Sequence, residues 1–111
     1  MSNLIYLASP YSHDDPEVRY ARYDAACAAT ARMMQGGMIV YSPIVHCHIL
    51  ALKYDLPGDW EFWKRIDERM LAACDMVMVL CLDGWKDSVG VTAEIGMARD
   101  RGMQVEFMEA V

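Results

Sequence analysis

Basic residues are scarce in this sequence: ten Lys and Arg stand against sixteen Asp and Glu, a formal charge of -6. That balance repels a phosphate backbone unless the cations are gathered on one face, so a nucleic-acid polymer is not an expected partner. No apolar run approaches the roughly eighteen residues that a membrane span needs, and residues 1–8 lack the basic segment of a secretory signal. A membrane partner is likewise not expected, and the protein reads as soluble and cytoplasmic. The four cysteines, Cys27, Cys47, Cys74 and Cys81, form no Cys-x-x-Cys pair and have no matching histidine spacing. A zinc knuckle and a disulfide framework are therefore not indicated, and mostly buried, reduced thiols are expected. Internal repeats, linkers and low-complexity stretches are also missing, so 1–111 reads as one domain.

What remains is a chain of globular composition, 55% hydrophobic and 23% charged, with ten Met that soften its interior. Residues 3–8 are a short apolar run closed by Ser9-Pro10, the pattern of a buried strand. Residues 16–35 turn helical, with Val18, Ala21, Ala25, Ala28, Ala29 and Met33 at three- and four-residue spacing. Asp14 or Asp15 is placed to cap that helix and Gly36-Gly37 to stop it. A second strand is expected over 38–41, closed by Ser42-Pro43, then a short helix over 45–53. Asp59 opens a helix running to Cys74, with Trp60, Trp63, Ile66, Met70 and Leu71 as its apolar stripe. The clearest strand, 76–82, follows; then come a turn at Asp83-Gly84, a helix over 89–101 with Val91, Ile95 and Ala98 inward, and a last strand over 103–107.

Strands alternating with helices predict an α/β fold with a parallel sheet and right-handed crossovers. Ligands of such sheets bind beyond the carboxyl ends of the strands, so residues 9–15, 42–47 and 83–90 are expected to line one crevice. In the last of these, Ser88 or Asp87 can cap the helix, and Gly90 lets a ligand approach the backbone. The free amides there favour an anion. Glu94, six residues after Ser88, either points back into the crevice or is a solvated helix residue.

Three separated blocks carry a resemblance over nearly the whole chain. Ile5-Tyr6-Leu7-Ala8-Ser9-Pro10-Tyr11, Asp67 eight residues before Asp75, and Ser88-x-Gly90-x-x-x-Glu94-x-Gly96-x-Ala98 resemble the nucleoside 2-deoxyribosyltransferase superfamily, which includes 2'-deoxynucleoside 5'-phosphate N-hydrolases. The likeness extends to small bacterial and phage members with the Trp85 and Ser88 variant. It implies a Rossmann-like or flavodoxin-like three-layer sandwich with four to five parallel strands. It also implies a small-molecule partner, a nucleoside or nucleotide, whose N-glycosidic bond is cleaved or transferred. Glu94 matches the nucleophile that forms a glycosyl ester. Asp67 matches an aspartate that protonates or orients the departing base, and Tyr6 a tyrosine that orients the nucleophile. No metal or organic cofactor is implied.

Ser88 departs from the transferases, which carry a carboxylate there, and matches the monophosphate hydrolases, since a neutral hydroxyl beside helix amides accepts a phosphate. The loop 9–13 lacks the Gly- and Arg-rich character of the hydrolases' phosphate loop; Arg19 and Arg22 either replace it or are solvated. The substrate-binding set is therefore Ser9, Ser88, Gly90, Trp85 and His46. Trp85 either stacks on a base or anchors its loop, and His46 borders the crevice; Trp60 and Trp63 read as core. His46-Cys47-His48 lacks a third ligand at recognisable spacing, so no metal is expected. The chain ends soon after the fourth strand, so no residue supplied by a neighbouring subunit is carried over, yet exposed sheet edges lead to an expected homo-oligomer. Two rival readings use the same crevice: a non-catalytic nucleotide-binding module, and an interaction protein with a vestigial site.

Overall fold

The computed structural model describes residues 3–110, so Met1, Ser2 and Val111 of the domain read from the sequence lie outside the described residues. The chain runs β1 (Leu4–Ala8), α1 (Pro16–Gln35), β2 (Ile39–Tyr41), α2 (Pro43–Tyr54), α3 (Trp60–Ala72), β3 (Met76–Cys81), a single 3-10 turn (Trp85–Asp87), α4 (Val89–Asp100) and β4 (Gln104–Glu109). Local chemistry sets most boundaries. Asp15 accepts from the Glu17 amide at 2.9 Å and Pro16 sits at the first turn, while Gly36 and Gly37 (φ 88°) end α1.

The four strands are all parallel in the order β2-β1-β3-β4. Alternate residues of β1 face opposite layers, as the two-residue period of a strand requires. Ile5 and Leu7 pack with Val40, Met76 and Leu80 against Ala29 and Met33 of α1. Tyr6 and Ala8 pack with Val77 and Val79 against Leu71 of α3 and Val91 and Ala98 of α4. Helices on both faces of a parallel sheet make this a three-layer Rossmann-like or flavodoxin-like fold. The start of β1 is pinned to β3: Leu4 N donates to Asp75 Oδ2 at 2.7 Å, and Asp75 N donates to the Leu4 carbonyl at 2.8 Å.

Three expectations need correction. Helix α2 begins at Pro43, earlier than expected, because Ser42 accepts from Val45 N at 3.2 Å; the Ser-Pro pair starts a helix here besides closing a strand. In α1 the buried residues are Ala26, Ala29, Thr30 and Met33, and Ala21 and Ala28 are exposed. Alanine suits either side of a helix and does not mark its inner face. In α3 the buried residues are Asp67 and Leu71, with Trp60 and Trp63 half-buried, while Ile66 and Met70 are more than a third exposed. The inner face carries a carboxylate, which hydropathy alone would turn outward.

The order of strands reverses between β1 and β3, and the loops that follow these two strands open a crevice at the carboxyl end of the sheet. Arg22 of α1 braces it, donating from Nη1 to the Ser12 carbonyl at 2.9 Å and from Nη2 to the Asp83 carbonyl at 3.3 Å. Gly84 beside it has φ 88°, and a Cβ there would lie 2.6 Å from Arg22 Nη2. Gly84→Ala is expected to lower stability by about 1 to 2 kcal/mol, because an L side chain resists this conformation. A urea-denaturation midpoint equal to that of the wild type would show that the turn relaxes freely.

Candidate active site

The crevice is a cavity of about 360 Å³ lined by segments that are distant in sequence. The loop after β1 contributes Ser9, Tyr11 and Ser12, and α2 contributes Ile44, Cys47, His48 and Ala51 from one helical face. Gly58 and Asp59 precede Trp60, Trp63 and Asp67 of α3, and Asp87, Ser88, Val89, Gly90 and Glu94 come from the start of α4.

Glu94 is the most unusual of these side chains. It is 3% exposed, on the helix face that packs against the sheet, and its Oε2 accepts a short hydrogen bond from the hydroxyl of Tyr6, itself fully buried in β1. Burial pushes the Glu94 carboxyl up to about 8; the Tyr6 hydroxyl works in the opposite direction and the nearby Asp67 charge adds to the rise. Tyr6 is itself held far above the ordinary phenol range, by burial first and then by Glu94 and Asp67, so it stays protonated as a donor. Asp67 is 7% exposed, burial raises it to about 6, and its Oδ1 has no hydrogen-bond partner. The Tyr41 hydroxyl and Ser9 Oγ are also buried without partners. Such orphaned groups are costly in a folded protein and concentrate where a ligand acts.

Ser88 caps α4, its Oγ accepting from Val91 N at 3.2 Å, and this fixes the end of the helix that carries Glu94. Gly90 lies beside the Trp60 indole, with room for a Cβ at 3.6 Å, so it keeps the cavity wall thin and is not demanded by its backbone angles. Among the residues singled out in the sequence, Glu94, Asp67, Ser9, Ser88 and Gly90 therefore line one cavity, with Tyr6 directly behind Glu94.

Two do not join them. His46 is exposed on α2, its ring 5.9 Å from Tyr41, because residues 44, 47, 48 and 51 form the inward face of that helix and residue 46 falls outside it. Trp85 lines a separate recess, with its ring 5.5 Å from Phe107 of β4 and Lys86 Nζ 5.7 Å above it, an anchor for its loop.

His48, which the sequence reading passed over, takes the inward place. It is 3% exposed, its Nδ1 shares a hydrogen bond with the Tyr11 hydroxyl at 2.5 Å, and Tyr23 stacks on its ring at 4.2 Å. Burial, with Arg19 nearby, lowers its affinity for a proton, and Nε2 has no partner. Helical phase was the available signal: His48 lies four residues after Ile44, on the cavity side. Trp60 and Trp63 were read as core and instead wall the cavity, Trp63 fixed by its Nε1 donating to the Pro57 carbonyl at 2.7 Å. Cys47 also lines it, but burial raises its thiol to about 12, which makes it a poor nucleophile. Arg19 and Arg22 bind loop carbonyls, at His13 and at Ser12 and Asp83.

The model of the family DUF1937, described as a domain of unknown function, matches residues 3–110. The chain belongs to this family. No curated protein matches it. No helix among the described residues is long and apolar enough to cross a membrane, and among them no three His, Cys, Asp or Glu converge to hold a metal ion.

Both buried carboxyls have folded-state proton affinities above their ordinary values, so both are protonated in the fold at pH values where the unfolded chain is ionised. Their contribution to stability is fully present below the ordinary carboxyl values of 3.8 and 4.5, and is lost as pH rises from there through about 6 for Asp67 and about 8 for Glu94. The melting temperature of the wild type is expected to fall from about pH 4 to about pH 8. Asp67→Asn should make the fall shallower only below about pH 6, and Glu94→Gln should make it shallower throughout and abolish the part above about pH 6; parallel curves for all three proteins would contradict the assignment.

Proposed function

We propose that this domain cleaves or transfers the N-glycosidic bond of a 2'-deoxynucleoside or its 5'-monophosphate, with Glu94 as the nucleophile. The observation that carries the reading is a buried carboxyl, held by a tyrosine hydroxyl, facing a cavity of about 360 Å³ that a second buried carboxyl also lines. The resemblance in sequence implies the same roles for Glu94, Asp67 and Tyr6 and so supports the reading.

In this reading the sugar lies over Glu94, whose ionised oxygen bonds to the anomeric carbon as the bond to the base breaks. The positive charge that develops on the sugar favours an ionised Glu94, overcoming the burial that otherwise keeps it protonated. Tyr6 holds Oε2, leaving the other oxygen as the attacking atom. The proton that burial keeps on Glu94 moves to Asp67, itself raised to about 6, and from there to the departing base, so that Glu94 attacks as the ionised group. Water or a second base then opens the glycosyl ester.

Between nucleoside and monophosphate, the lining favours the nucleoside. Among the described residues no Lys or Arg lines the cavity, the two arginines near its mouth are engaged with loop carbonyls, and Asp87 sits beside Ser88. A phosphate would meet carboxylates there. The same reading includes a cytoplasmic setting, supported by four free cysteines, and a homo-oligomer, supported by the exposed apolar Ile49, Leu52 and Tyr54 of α2 and Phe62, Ile66 and Met70 of α3.

The test is chromatographic detection of free base from a panel of deoxynucleosides and their monophosphates, with and without an acceptor base. Release from one substrate class is expected, falling by about a thousandfold or more in Glu94→Gln and by about a hundredfold in Asp67→Asn. Exchange with the acceptor identifies a transferase. Release that survives Glu94→Gln would remove the proposed nucleophile, and silence across the panel from folded protein would overturn the reading.

A further inference from the structure

Four acidic side chains line the cavity, Asp59, Asp67, Asp87 and Glu94, and among the described residues no lysine or arginine lines it with them. Two of the four are more than nine-tenths buried, and Asp67 keeps an oxygen without a partner. The surrounding wall is aromatic: Trp60 lies against Gly90, and Trp63 is fixed through Nε1. The carboxylates do not converge as metal ligands do, so a bare metal ion is not the cation that this charge distribution suits. An aromatic wall beside the exposed carboxylates of Asp59 and Asp87, and beside two buried carboxyls that a neighbouring positive charge would help to ionise, suits a flat organic cation, which gains both from the indole faces and from the acidic groups.

We infer that the cavity selects N-glycosides whose base is a cationic heteroaromatic ring, an N-alkylated purine or a pyridinium, joined to the sugar through a ring nitrogen. The inference rests on the glycosidic reading above and narrows its substrate. The chemistry agrees with the placement. As Glu94 bonds to the anomeric carbon, the electron pair of the breaking C–N bond returns to the ring and cancels its positive charge, so the base leaves without taking a proton. Water then adds its oxygen to the anomeric carbon, frees the Glu94 carboxylate and releases one proton. The ring charge also offsets the burial of Asp67 and Glu94 while the substrate is bound.

Isothermal titration of the whole chain with 1-methylnicotinamide, a pyridinium, and with 3-methylbenzamide, its uncharged isostere, isolates the charge. The cation is expected to bind at least about tenfold more tightly than the isostere, with the ratio shrinking as salt is added. In an Asp59→Asn, Asp87→Asn double variant, at two exposed positions that leave the core intact, the ratio should fall severalfold. Equal affinities, tighter binding of the isostere, no binding of either, or a ratio unmoved by the double variant would each overturn the inference.

Base release separates this outcome from that of the glycosidic reading. Turnover of neutral deoxynucleosides with no preference for the cation sinks the inference and leaves the reading standing. A cation preference with no base released from any N-glycoside, N7-methyl-2'-deoxyguanosine included, sinks the claim of cationic substrates with the glycosidic reading and leaves a binding site for aromatic cations. Faster release from N7-methyl-2'-deoxyguanosine than from 2'-deoxyguanosine, after each is divided by its uncatalysed rate, supports both.

Discussion

A hydrogen bond from Tyr6 to Glu94 ties the first strand to the last helix, and the geometry of the site depends on it. A carboxylate cannot be buried cheaply without a donor, and a buried phenol hydroxyl needs an acceptor. Each group therefore satisfies the other where water is excluded. Tyr6 stands in the central part of the sheet, paired in register with Tyr41 on one side and Val77 on the other, so its hydroxyl has little freedom to move. Glu94 is thereby held on a rigid base while Asp67 and Tyr41 crowd it with polar groups that have few partners.

The walls around that base are built differently. On one side α2 presents Ile44, Cys47, His48 and Ala51, with His48 locked between Tyr11 and Tyr23; on the other, α3 presents its two indoles and Asp67. Arg22 joins the loop after β1 to the loop after β3 through two carbonyls, so a side chain placed near the cavity mouth acts as a brace there. Its positive charge is directed at backbone and not at the cavity, whose charged lining is left acidic. This division of labour is what turns a common parallel-sheet crevice into one with a defined electrical character.

Much of the fold was legible because it is written in local signals. The caps at Asp15 and Ser88, the glycines after α1 and the apolar run of β3 mark elements whose boundaries the structure shifts by only a residue or two. Element boundaries misread in the sequence trace to residues with two uses. Ser42-Pro43 both ends β2 and opens α2, while the choice of His46 over His48 came from leaving the phase of that helix unread. The inner face of α3 was misassigned because Asp67, a charged residue, occupies a position that hydropathy reserves for an apolar one.

By itself the sequence determined the alternation of strands and helices, the acidic balance of the chain and the spacing that sets Glu94 in the second turn of α4, because each rests on neighbours within a few residues. Tertiary structure alone decided which side chains meet. Strand order brings β1 beside β3 and so sets Tyr6 behind Glu94, eighty-eight residues away in the chain. Helical phase turns His48 and the two indoles inward and leaves His46 outside, while Trp85 packs on β4. The raised proton affinities of Asp67 and Glu94 belong to the same level, because burial is a property of the assembled layers and no stretch of sequence possesses it alone.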